Sequence, residues 1–301
     1  MMNMNRSIFI TLLALSALWV SCDLYPQDEY EEAYVVEAYM VAQNTLPKVF
    51  VSRTAPVSEA YIFDDYAVKG ANVEIRLLED GIGSNIEQQF SYRMADPGIY
   101  EPEIELEVLP ARTYQLNITF NNDPIVIQGY TTVPDTFSSN TAIPDTVIYQ
   151  SPNQIELDIT PSENRDRQNY FIFTTIALDA DIENFTPLYA DFFDEEEDEI
   201  NDFVKTSSGI VNEANFETRA DGTINLKYPW IAVAFYGRNQ IVANIIDDNL
   251  YDFVRSQAVQ LGSSTLSPGE IPNLIYRLDN AVGVFGSIAA DTIQTYIKRP
   301  Q

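Results

Sequence analysis

The sequence predicts a mainly β protein: an N-terminal seven-stranded β-sandwich followed by a second β-rich domain with one helix. Three observations predict it. Short runs rich in Val, Ile, Tyr and Phe alternate apolar with polar residues, the period of a half-buried strand. Turn signals built from Asn, Asp, Gly and Pro recur about every 8 to 12 residues. Only one stretch carries helical spacing.

The first predicted strands are AYVVEAYMV (33–41) and KVFVSR (48–53), bounded by Asn44, Pro47 and Pro56. NVEIRLLEDG (72–81) sends Val73, Ile75 and Leu77 to one face and Asn72, Glu74 and Arg76 to the other, and Asp80-Gly81 turns the chain. QFSYRM (89–94) follows, closed by Asp96-Pro97-Gly98. EIELEV (103–108) reads as a strand with Ile104, Leu106 and Val108 inward and a stripe of Glu101, Glu103, Glu105 and Glu107 outward. TYQLNITF (113–120) buries Tyr114, Leu116, Ile118 and Phe120, and IVIQGYTTV (125–133) ends at Pro134. These seven strands place a β-sandwich at residues 33–134. Pro134, Pro144 and Pro152 punctuate a linker, 135–153, and the second domain occupies 154–301. Its predicted strands are IELDI (155–159), NYFIFTTIALDA (169–180), GTINLKY (222–228), WIAVAFY (230–236), QIVANII (240–246) and one or two closing strands in 283–298. DNLYDFVRSQAVQL (248–261) places Leu250, Phe253, Val254, Ala258 and Leu261 on one face, with Asp248 as N-cap and Gly262 as stop, so a helix is predicted near 248–261. Residues 184–202 and 263–273 read as loops.

Ahead of the body, residues 1–6 carry one positive charge, SIFITLLALSALWV (7–20) is apolar and too short to span a bilayer, and Ser21 precedes Cys22, the one cysteine of the chain. This junction resembles a bacterial lipobox. The reading is a lipoprotein signal peptide over 1–21, acylation of Cys22, and an acidic tether over 22–32 carrying Asp23, Asp28, Glu29, Glu31 and Glu32. Several acyl chains on one cysteine give durable anchoring. With no second cysteine, the fold rests on its core alone.

Charge narrows the partners. Seventeen Lys+Arg stand against 45 Asp+Glu, a formal charge of −28, so nucleic acid is not an expected partner. Histidine is absent, which removes Ser-His-Asp and Cys-His catalysis and His-ligated metals. The acidic run 191–199 lacks the spacing of an EF-hand and reads as a solvated insertion, the glutamate stripe does not converge on a cation, and no cofactor or metal is expected. Tyr228 and Trp230 in YPWIAVAFY read as filling the core or a domain interface in preference to a sugar-stacking platform. Asp145-Thr146-Val147 and Asp291-Thr292-Ile293 resemble the Bacteroidota O-glycosylation signal, which makes Thr146 and Thr292 candidate modification sites.

A wider resemblance covers most of 22–297. Gly70-Ala71-Asn72-Val73, Gly98-Ile99-Tyr100 and Arg112-Thr113-Tyr114-Gln115-Leu116 resemble the transthyretin-like or carboxypeptidase-regulatory-like sandwich. With the VVEAYM strand, SRTAP (52–56), TTVPDT (131–136) and NLIYRLDNAVGVFGS (273–287), the chain resembles the Bacteroidota lipoprotein family called domain of unknown function 4249. Of that family's Gly-rich C-terminal pattern, Gly283, Phe285 and Gly286 are present. Members are often encoded near TonB-dependent outer-membrane receptors. The resemblance therefore implies a non-enzymatic, lipid-anchored envelope protein, an accessory or binding subunit of an outer-membrane transporter, tethered to the outer membrane by its acyl anchor. Which face of that membrane it occupies stays open, and two further readings stand beside it: a carboxylate-dependent hydrolase of surface glycans or peptides, and an adhesin-like structural module.

Overall fold

The computed structural model describes residues 30–139, 144–152, 155–160, 169–260 and 274–300. The expected signal peptide, Cys22, most of the acidic tether and the 263–273 loop lie outside them. The chain divides into two units, residues 1–32 with 55–60, and residues 33–54 with 61–301. In the first, the described part of 55–60 is a turn closed by the Glu59 N–H on the Pro56 carbonyl. The strands and helices belong to the second unit.

The protein is mainly β. In chain order its elements are β1 (Tyr34–Val41), β2 (Val49–Arg53), α1 (Phe63–Tyr66), β3 (Ala71–Leu78), β4 (Ile86–Asp96), β5 (Ile99–Pro102), β6 (Thr113–Phe120), β7 (Val126–Thr132), β8 (Thr146–Ile148), β9 (Ile155–Ile159), β10 (Tyr170–Ala177), α2 (Pro187–Phe192), α3 (Ile200–Val204), β11 (Lys205–Ser207), β12 (Val211–Asn212), β13 (Glu217–Thr218), β14 (Ile224–Tyr228), β15 (Gly237–Ile246), α4 (Asp248–Gln260), β16 (Leu278–Asp279) and β17 (Val282–Lys298). Fourteen strands form one sheet: twelve follow the hydrogen-bonded path β11-β10-β15-β17-β1-β2-β5-β4-β3-β6-β7-β16, and β12 pairs with β10 and β8 with β17 beside it. A separate three-stranded sheet runs β13-β14-β9.

Strand β4 pairs with β3 through its first half and with β5 through its second, so it carries the path from one layer of the N-terminal sandwich to the other. The core between those layers takes Val36, Ala38 and Met40 of β1, Val49 and Val51 of β2, Val73, Ile75 and Leu77 of β3, Leu116 and Ile118 of β6, and Ile127 of β7. A second core lies between β10-β15-β17 and the three-stranded sheet, with Phe171, Phe173, Ile241, Ala243 and Ile245 meeting Ile155, Leu157, Ile224, Leu226 and Tyr228. Strand β17 belongs to both. Its first half pairs in parallel with β1 and its second half pairs antiparallel with β15; Phe285 enters the first core and Ile297 the second. These two side chains share a parity along the strand, so both cores lie on one face of it. Val284 and Ile288, of the other parity, pack with Leu250, Tyr251, Phe253 and Val254 of α4.

Several expectations are corrected. Residues 103–108 are not a strand; the fifth strand is β5, ending at Pro102. The Leu106 carbonyl accepts from Leu46 N–H and the Val108 N–H donates to Asn44, so this backbone bonds to the β1–β2 connection. Ile104 is left 66% exposed, and the glutamates do not form a strand-face stripe. Residues 230–236 are a 3-10 turn, Trp230–Ala232, followed by a single bridge from Phe235 to Phe185; β14 ends at Tyr228 and Pro229 is the N-cap of the turn. Residues 184–202 hold α2 and the start of α3, drawn onto a cluster in which Phe185 stacks on Phe235 at 4.4 Å and meets Phe193 and Phe203 at 5.0 and 5.6 Å. The described residues thus hold four α-helices, three of them no longer than six residues. The segment expected as a linker contains β8, paired in parallel with β17. The cap of α4 is Asp247, whose Oδ1 accepts the Leu250 N–H at 2.9 Å, and not Asp248.

Candidate functional site

The outward face of β4-β3-β6-β7 is an array of polar side chains. Inward positions of these strands are apolar except for Thr131, and the alternation sends Gln89 and Ser91, Glu74 and Arg76, Gln115 and Asn117, and Gln128 and Tyr130 outward. Register aligns them in two rows across the strands. One is Gln89, Arg76, Gln115, Tyr130; the other is Ser91, Glu74, Asn117, Gln128. Arg76 and Glu74 pair at 2.6 Å, with side chains 21% and 15% exposed, and Gln89 Nε2 donates to Glu74 Oε1 at 3.0 Å. Gln115 Nε2 donates to the Tyr130 hydroxyl at 2.9 Å, and Gln128 Nε2 to Asn117 Oδ1 at 3.1 Å. Gln115 and Asn117 are buried, Arg76, Glu74, Gln128 and Tyr130 are half-buried, and Gln89 and Ser91 are exposed. Arg76 Nε is buried and has no hydrogen-bond partner among the described residues. The array offers oriented donors and acceptors whose two charges cancel.

The free edge of β7, next to this array, is closed by side chains from the C-terminal half. Asn280 Nδ2 donates to the Val126 carbonyl at 2.9 Å, Asn249 Nδ2 to Tyr130 at 2.5 Å and Ser287 Oγ to Thr132 at 3.0 Å, while β16 pairs at Gln128 and Gly129. Thr131 Oγ1 donates to Asp247 Oδ2 at 2.6 Å and lies 2.7 Å from Ser287 Oγ. These contacts fasten α4 to the N-terminal sandwich.

At the far end of β17 an open cleft of about 510 Å³ is lined by Asp179, Asn184, Tyr236, Tyr296, Lys298 and Arg299 among others. Arg238 grips Asp179 through Nη2 at 2.6 Å and through its backbone N–H at 2.8 Å, and these hydrogen bonds hold the Asp179 carboxyl below the usual carboxylate range. Arg299 lies 4.8 Å over the Tyr236 ring and donates to the Glu183 carbonyl. The guanidinium groups here are engaged by the protein itself.

The family model described as "Domain of unknown function (DUF4249)" matches residues 22–294. The chain belongs to the DUF4249 family. Comparison with curated proteins finds no match. Solved structures similar to this DUF4249 chain include Salmonella alpha-2-macroglobulin (9% identity, 89% of this chain and 15% of that one, TM-score 0.24) and Escherichia coli alpha-2-macroglobulin (6% identity, 89% and 20%, TM-score 0.22). Another is the three N-terminal domains of the bacteriophage RB49 outer capsid protein Hoc (10% identity, 90% and 71%, TM-score 0.21). The chain spans a fifth or less of the two macroglobulins, and at these TM-scores none of the three bears on fold or function.

Among the described residues, those singled out from sequence do not come together in the DUF4249 structure. Cys22 lies outside the described residues. Thr146 is exposed on β8, and Thr292 is exposed on β17, where Asp291 accepts both the Thr292 and the Ser139 N–H. In the acidic run, Asp194 and Asp198 accept backbone N–H groups within the turn, and Glu199 with Asp202 forms a capping box for α3. Among the described residues no three Asp, Glu or Cys side chains are grouped to hold a metal ion. Tyr228 is a core residue, bonded to Thr175 at 2.7 Å, and burial pushes its phenol up to about 12. Trp230 packs edge-on to Tyr149 at 5.3 Å against the same core. The polar array was not singled out from sequence. Its one-dimensional signal is the outward set of β3, β6 and β7, made of amides, hydroxyls and a single opposite-charge pair.

Proposed function

We propose that this DUF4249 protein is a non-enzymatic, lipid-anchored component of the bacterial envelope that serves as a binding subunit beside a TonB-dependent outer-membrane transporter. The observation that carries the anchoring is the junction at Cys22: an apolar run too short to span a bilayer, a small residue, the one cysteine of the chain, then acids. The family match begins at that same residue, which supports Cys22 as the start of the mature body. Among the described residues no helix is long and apolar enough to cross a membrane. The binding role is supported by the oriented polar array. The transporter association rests on the genetic neighbourhood that the family resemblance implies. Thr146 and Thr292 are proposed O-glycosylation sites, a reading supported by their exposure.

The test is Cys22→Ser in a cell fed labelled fatty acid. The variant is expected to carry no label and to leave the outer-membrane fraction, while the wild-type chain, cross-linked in membranes, is expected to co-purify with a transporter. A Cys22→Ser protein that still takes up label and still sediments with the outer membrane overturns the anchoring.

A further inference from the structure

The array on β4, β3, β6 and β7 has four properties that an ordinary solvated sheet face lacks. Its central amides are buried: Gln115 is 7% and Asn117 6% exposed, although Gln and Asn side chains ordinarily sit in water. Each of these amides has one side-chain hydrogen bond among the described residues, while an amide carries two donors and an acceptor with two lone pairs. Arg76 Nε is a buried donor with no partner among the described residues, in the same row as Gln115 and Tyr130. On a chain of net charge −28, the array holds one carboxylate and one guanidinium locked to each other, so it is locally neutral.

We infer that this face binds a neutral polyhydroxylated ligand, an oligosaccharide lying across the strands. Every sugar hydroxyl both donates and accepts, and neighbouring hydroxyls match the paired donors and acceptors of an amide, a carboxylate or a guanidinium. The array supplies all three, fixed by mutual hydrogen bonds, so little side-chain freedom is lost on binding. The Tyr130 ring at the end of one row gives an apolar surface for a sugar's C–H face. With strands about 4.8 Å apart and outward residues about 7 Å apart along each, four strands and two rows cover roughly 14 by 7 Å, a footprint for about two or three sugar units. A polyanionic glycan would meet Glu74 and the field of the whole molecule. An extended peptide would dock by its backbone on a free strand edge, and the adjoining β7 edge is already closed by Asn249, Asn280 and Ser287.

The inference rests on the binding role proposed above and does not depend on the acyl anchor or the transporter. Its test uses the purified full-length protein in detergent, titrated with neutral trisaccharides of glucose, xylose, mannose and N-acetylglucosamine, with trigalacturonate as the anionic control and an extended acidic and an extended basic peptide beside them. At least one neutral trisaccharide is expected to bind. Gln89→Ala, Gln128→Ala and Tyr130→Ala are each expected to weaken it about tenfold, the loss of one well-made contact. Arg76→Lys keeps the charge but lacks Nε and is expected to weaken it similarly, whereas Tyr296→Ala, in the cleft at the far end of β17, is expected to change nothing. Melting curves identify any variant that fails to fold; the exposed Gln89→Ala keeps the test decisive if Tyr130→Ala does. The inference is overturned if no neutral trisaccharide binds, if only trigalacturonate or a peptide binds, or if folded array variants bind as well as wild type. A protein that is acylated at Cys22 but binds no sugar sinks this inference alone.

Discussion

Gly283 has φ of +112°, and a Cβ placed on it would lie 2.2 Å from the Val36 carbonyl oxygen. An L side chain there is strained by its backbone and collides with the neighbouring strand, at the point where β17 meets β1. Gly283→Ala is expected to cost about 3 kcal/mol or more, read as a fall in the urea midpoint at unchanged slope. A midpoint equal to wild type would mean that the two strands part freely at this place. Asn280 shows the complementary case. It takes a left-handed φ of +61°, which asparagine tolerates better than most residues, and its side chain reaches the β7 edge. The glycines at 283 and 286 stand out in the sequence as part of a family pattern, but not for what they do. For Gly286 that is to let Leu250 of α4 approach, where an added Cβ would be 3.1 Å away. The polar array was illegible for a related reason. Gln115 and Arg76 are read correctly as outward residues of correctly placed strands, but only the register of β3, β6 and β7 sets Arg76, Gln115 and Tyr130 side by side. Alternation reveals the face a residue occupies, not the neighbour it meets there.

Among the elements, strands with full alternation and clear turns were legible, and so was α4, whose apolar positions follow helical spacing. Segment 103–108 shows the limit, since its alternation is as clean as that of β6. It differs in where its backbone hydrogen bonds go, to the β1–β2 connection, and sequence pattern does not report that. Strand β8 and helices α2 and α3 are short enough that local pattern carries little weight against tertiary packing. Closure of the β7 edge is an element-scale device: a strand with open carbonyls is a template for pairing with another chain, and three side chains occupy this one. Asn249→Ala removes donors to both Tyr130 and Phe285 and is expected to destabilise by about 1 to 3 kcal/mol, with faster amide exchange in β7. If β7 exchanges at the wild-type rate in that variant, the side-chain closure contributes nothing.

On the scale of the molecule, two cores share one strand in a chain of net charge −28. Because β17 sends Phe285 into one core and Ile297 into the other, neither sandwich can lose it alone. Thermal unfolding of residues 33–301 is therefore expected to be one cooperative transition, moved upward by added salt as charge repulsion is screened over a Debye length of about 10 Å at 0.1 M. Two resolved transitions, or a midpoint that falls as sodium chloride is added, would contradict this. The shared strand also has a consequence in time. Val36 pairs with Gly283, about 250 residues further along, so β1 is synthesised long before the strand that completes its pairing. Closing so long a loop precedes any reward from the contact, which makes assembly slow. Until β17 emerges from the ribosome, the earlier strands have an unpaired edge at β1 and a core lacking Phe285. Strands β1 to β7 can pair among themselves in the nascent chain, but that edge stays open to chaperones until β17 has been made.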